Sequence, residues 1–116
     1  PYCPVVNNTS GSVVGYKYFN FDVLSEKDAA TLVAHIKPEG VDGTISVLVG
    51  GPKTSRGGKV IARMEVKANA AQELTEVTVP VYGLKGIKGK QPLFFVFSSA
   101  TEDRSICELH DFQFVK

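Results

Sequence analysis

Apolar and polar residues alternate with a period of two along most of the chain, the pattern of strands half-buried on a sheet. In residues 29–37, Ala30, Leu32, Ala34 and Ile36 share one face. In residues 43–49, Ile45, Val47 and Val49 alternate with Thr44, Ser46 and Leu48. Residues 59–67 set Val60, Ala62, Met64 and Val66 against Ile61, Arg63, Glu65 and Lys67. Residues 73–81 set Thr75, Val77, Val79 and Val81 against Glu76 and Thr78. The aromatic-rich segment 12–22 and the closing segment 106–115 also predict strands. In residues 92–98, the run Leu93-Phe94-Phe95-Val96-Phe97 is apolar on both faces and predicts a central strand. Turn residues separate these segments, at Pro38-Glu39-Gly40 and in the glycine-rich stretches 50–58 and 83–89. Asn7-Asn8-Thr9 and Asn8-Thr9-Ser10 match the short glycosylation sequon, and Asn-Asn-Thr ahead of Gly11 reads more simply as a turn. Helical turns are conceivable only at 25–31 and 69–73, and neither is long enough for a packed helix. Short strands joined by turns imply a sandwich or a barrel.

The 116 residues make one domain, 1–116, with too little chain for two cores. Thirteen basic and 12 acidic residues give a net charge of +1 and are interspersed. A nucleic-acid binder carries a basic surplus on one face, and none is visible. The densest basic stretch, Lys85, Lys88 and Lys90, is broken by glycines and reads as a solvated turn. No apolar run approaches the roughly 20 residues needed to span a membrane. The chain opens at Pro1 without a signal peptide and reads as a piece of a longer protein. Cys3 and Cys107 fit no zinc or redox motif; they form one disulfide or are two buried thiols.

The chain shows no catalytic constellation. His35 and His110 lack metal-ligand spacing. The carboxylates Asp42, Glu65, Glu76, Glu102, Asp103, Glu108 and Asp111 are scattered. The glycine-rich loops lack the Gly-Lys-Ser/Thr ending of a phosphate loop. The chain is therefore expected not to be an enzyme.

One family accounts for the pattern as a whole. The opening Gly11-Ser12-Val13-Val14-Gly15-Tyr16-Lys17-Tyr18-Phe19-Asn20-Phe21 resembles that of carbohydrate-binding module family 6. So does the closing stretch, Lys90-Gln91-Pro92-Leu93-Phe94-Phe95-Val96-Phe97, a polar loop, then Cys107-Glu108-Leu109-His110-Asp111-Phe112-Gln113-Phe114. Gly43-Thr44-Ile45-Ser46-Val47 and Gly58-Lys59-Val60-Ile61-Ala62 fall between them in the same order. The chain looks most like modules attached to glycoside hydrolase family 43 and related plant-polysaccharide enzymes. The resemblance covers residues 11–116. It implies an all-β jelly-roll β-sandwich of two antiparallel sheets and a non-catalytic role. The partners would be a polysaccharide or oligosaccharide, such as xylan or arabinoxylan, and a linked catalytic domain, with no nucleic acid and no membrane. The location would be extracellular. The family's pocket holds a sugar between two aromatic rings, with an Asn reading the hydroxyls. The first ring falls on Tyr16, the second on Leu74 and the Asn on Glu108. The family's structural calcium would use a late Asp falling near His110 or Asp111, but its early Glu has no counterpart. No cofactor is expected.

By parity, Tyr16, Tyr18 and Asn20 share one face and Phe19 and Phe21 the other. Tyr16 and Tyr18 then form a sugar platform, or pack under a loop. Tyr82, beside Gly83, is a further aromatic candidate, and Glu108 accepts sugar hydroxyls or pairs with Arg104 or Lys17. The competing reading is a structural β-sandwich that packs on a catalytic domain and has no sugar site.

Overall fold

A computed structural model describes residues 5–8, 10–22, 30–68, 73–84, 86–101 and 104–115; for 5–8 and 16–18 the description covers the backbone. The strands are β1 (Val5–Asn8), β2 (Val13–Asn20), β3 (Ala30–Pro38), β4 (Gly43–Val49), β5 (Lys59–Val66), β6 (Thr75–Val81), β7 (Lys90–Ser98) and β8 (Cys107–Val115). A short 3-10 turn, Thr54–Arg56, lies in the β4–β5 loop. The strands form two four-stranded antiparallel sheets. The first has the order β1-β8-β3-β6 and the second β2-β7-β4-β5.

The alternation places the core between the sheets. Leu32, Ala34 and Ile36 from the first sheet face Ile45, Val47, Leu93, Phe95 and Phe97 from the second, all buried. The Phe95 and Phe112 rings meet at 4.8 Å across the interior. The apolar strand β7 lies between β2 and β4, as its two-sided apolarity predicts, and its outer residues Phe94 and Val96 are half-buried.

Three departures from the sequence pattern follow from local geometry. Asn7 and Asn8 are in β1, not in a turn, and Asn8 lies opposite Cys107. A strand this short carries too little alternation to be recognised. In β5, Ala62 pairs with Val47 but Val60 with Leu48, so Ile61 is an inserted bulge residue. Ile61 and Ala62 are therefore both buried, where alternation puts them on opposite faces. In β2, Tyr16 lies opposite Leu93 and Phe19 opposite Gln91, so an extra residue intervenes.

Cys107 is buried, whereas Cys3 lies outside the described residues, as do most of the conceivable helical turns at 25–31 and 69–73. Among the described residues, no helix is long and apolar enough to cross a membrane.

Candidate functional site

The connections that follow β1, β3, β5 and β7 all lie at one end of the sandwich, because every strand pairing is antiparallel. Thr44 pairs with Ser98 on one side and Glu65 on the other, so three polar side chains stand in a row on the outer face of the second sheet. With Asp42, Lys67 and Ser99 they line a cleft of about 380 Å³. Asp42 braces the cleft wall. Its Oδ1 accepts the Ala68 N–H at 2.6 Å, and its carbonyl accepts the Ser99 hydroxyl at 2.6 Å. Lys67 Nζ lies 3.5 Å from Glu65 Oε2, and both side chains are exposed. The cleft thus offers hydroxyls, carboxylates and an ammonium in mutual reach, which suits a polyhydroxylated ligand. Across the 65–68 segment is a smaller cavity of about 250 Å³, lined by Ile36, Pro38, Val66, Thr75 and Val77 among others.

Two of the sequence-predicted residues come to this same end. Leu74 directly precedes β6 and is 60% exposed. Glu108 lies near the start of β8 opposite Lys37, and its Oε1 is 3.0 Å from His110 Nε2. Arg104, one of the partners considered for it, has its guanidinium beside Gly40. Tyr82 is at the far end of β6, roughly 27 Å from Leu74 along an extended strand. Tyr16 and Tyr18 lie within β2, and their side chains are outside the described ones. The structure therefore sets Leu74 and Glu108 at one end of the sandwich and Tyr82 at the other.

Sequence reasoning did not select Asp42, Thr44, Glu65, Lys67, Ser98 and Ser99 as a site. Thr44 and Glu65 carry a readable signal, as polar members of their alternating strands. Their adjacency to Ser98 depends on β4 lying between β5 and β7.

On the outer face of the first sheet, His35 stands between Asp111 and Glu76. Nδ1 meets Asp111 Oδ1, and Nε2 lies 3.1 Å from Glu76 Oε1. These bonds, that to Asp111 first, raise the His35 pKa above the usual 6.5. Asp111 thus already serves a neighbouring imidazole. Among the described residues, no group of three His, Cys, Asp or Glu side chains is arranged to hold a metal ion.

Two packed antiparallel sheets with this strand order define a jelly-roll β-sandwich. The fold is that of family 6 carbohydrate-binding modules. The chain superposes on a glycoside hydrolase family 43 arabinoxylan arabinofuranohydrolase from Bacillus subtilis, solved with cellotetraose, at a TM-score of 0.78 and 20% identity. That match covers 99% of this chain and 21% of the hydrolase chain, so this chain spans about a fifth of the hydrolase's length. A β-1,3-glucan-binding family 6 module from Bacillus halodurans matches with a TM-score of 0.69 and 20% identity, over 92% of this chain and 72% of that one. A family 6 module from Clostridium stercorarium in complex with cellobiose matches with a TM-score of 0.65 and 20% identity, over 96% and 72%. No family model and no curated protein matches the sequence.

Proposed function

We propose that this chain is a non-catalytic carbohydrate-binding module. It holds a linked glycoside hydrolase near plant cell-wall polysaccharide, with xylan, arabinoxylan or another β-glycan as the target, outside the cell. The observation that carries this reading is the polar loop-end cleft on a family 6 fold. The similar structures support it, since one binds β-1,3-glucan, one holds cellobiose and one belongs to an arabinoxylan-acting hydrolase. Affinity per site is modest, because each sugar contact replaces a water contact.

Affinity gel electrophoresis against neutral glycans (arabinoxylan, arabinan, β-glucans and mannan) tests this. One glycan class retards the chain, and the double variant Glu65→Ala, Lys67→Ala loses most of that retardation. A parallel Tyr16→Ala variant reports whether β2 contributes. Retardation by no glycan overturns the proposal. It would favour a structural domain packing on a catalytic partner, for which exposed Leu74 and Val13 offer apolar contact.

A further inference from the structure

The edges of the two sheets approach each other along β5 and β6. Each is an edge strand, β5 paired with β4 and β6 with β3. They run antiparallel, and the Tyr82 N–H donates to the Ile61 carbonyl at 2.9 Å. Ile61 is the inserted residue of the β5 bulge. The bulge turns Ile61 and Ala62 inward together, and they floor a groove of about 410 Å³ between the two edges. Val60 and Arg63 line it from β5, and Pro80 and Tyr82 from β6. With Tyr82 at the level of Ile61, Pro80 stands level with Arg63, roughly 7 Å further along.

Two independent features of the groove point to one kind of ligand. The first is an aromatic ring left in water: Tyr82 is 61% exposed and stands beside the exposed ring of Pro80. Such a platform suits the flat apolar face of a pyranose. The second is uncompensated positive charge. Arg63 is exposed and makes no ion pair or side-chain hydrogen bond among the described residues, because the acid nearest along its strand, Glu65, pairs with Lys67. Lys59 Nζ donates to the Gly83 carbonyl at 2.6 Å, which holds a second cation at the Tyr82 end. No lining residue is acidic. A planar guanidinium matches a carboxylate.

We propose that the β5–β6 edge groove binds an acidic saccharide, a glycan bearing uronic acid, with the sugar ring on Tyr82 and its carboxylate on Arg63. This rests on the carbohydrate-binding reading and adds a second site, since the groove lies at the end of β6 away from the loop-end cleft. The full chain is tested by affinity electrophoresis in glucuronoxylan, in the same polymer after reduction of its carboxyl groups, and in neutral arabinoxylan. Glucuronoxylan retards the chain more than its reduced form does. Arg63→Gln removes that difference, with roughly a tenfold loss of affinity. Tyr82→Ala weakens retention by glucuronoxylan severalfold, Tyr82→Phe keeps it, and neither Arg63→Gln nor Tyr82→Ala changes retention by arabinoxylan. All three substitutions are at exposed positions, and unchanged thermal melts show that the variants fold. Equal retention by native and reduced glucuronoxylan, or retention that survives Arg63→Gln, overturns the groove proposal and leaves the loop-end reading standing. Retention by no glycan at all overturns both.

Discussion

His35 shows how one side chain can link sheet register to pH. Both of its ring nitrogens face carboxylate oxygens, and only the imidazolium can donate to both at once. Its folded-state pKa is therefore raised above the usual 6.5, chiefly by Asp111 and then by Glu76. A raised pKa means that protonation favours the folded chain. The stabilisation is complete below the unfolded value and is lost as pH rises through the folded value. The urea midpoint of the wild type should thus exceed that of His35→Gln most at about pH 5.5, with the gap closing toward alkaline pH. A gap that stays constant with pH would show that the imidazole does not titrate against these carboxylates. Phe95 illustrates the opposite kind of residue, buried and non-titrating. It is fully buried against Phe112, so Phe95→Ala should cost about 3–5 kcal/mol in equilibrium urea unfolding.

At the scale of elements, the apolar pattern located seven of the eight described strands and most of their inward faces. It failed where a strand was too short, as in β1, and where an extra residue shifted the phase, as at Ile61. An apolar pair such as Ile61-Ala62 carries no mark of a bulge. Only the competing registers of Val47 and Leu48 across β4 reveal it. The β4–β5 loop was legible from its glycines, and the structure supplies their reason. A Cβ on Gly58 would lie 2.4 Å from the Gly51 carbonyl oxygen and 2.7 Å from that of Lys53. Gly58→Ala should therefore destabilise the domain by roughly 1–3 kcal/mol, seen as a lower thermal midpoint. At Gly86, where a Cβ would meet nothing within 4 Å but φ is +90°, the smaller cost of left-handed backbone alone is expected.

For the whole molecule, connectivity governs folding. Among the paired strands, only β4 and β5 are chain neighbours. The other partners are far apart in sequence, down to β1 against β8 at the two ends of the chain. Loop-closure entropy must be met before such pairings become favourable, which slows folding. Refolding after stopped-flow dilution from urea should take milliseconds to seconds rather than microseconds. A microsecond phase carrying the full amplitude would contradict this picture. The same topology sets where binding groups fall, gathering one set of loops at one end and leaving the β5 and β6 edges side by side.

The sequence by itself determined the all-β class, the strand spacing, the core faces and the resemblance to family 6 modules. Each of these depends on local periodicity and turn chemistry, which a single strand carries alone. It could not place Thr44 beside Ser98 and Glu65, set Leu74 and Glu108 at one end, or move Tyr82 to the other. Nor could it show Arg63 on an edge that faces Pro80 and Tyr82. Those facts depend on which strands become neighbours and in what register. Neighbour choice is decided by the fit of whole faces across the core, so only the tertiary structure expresses it.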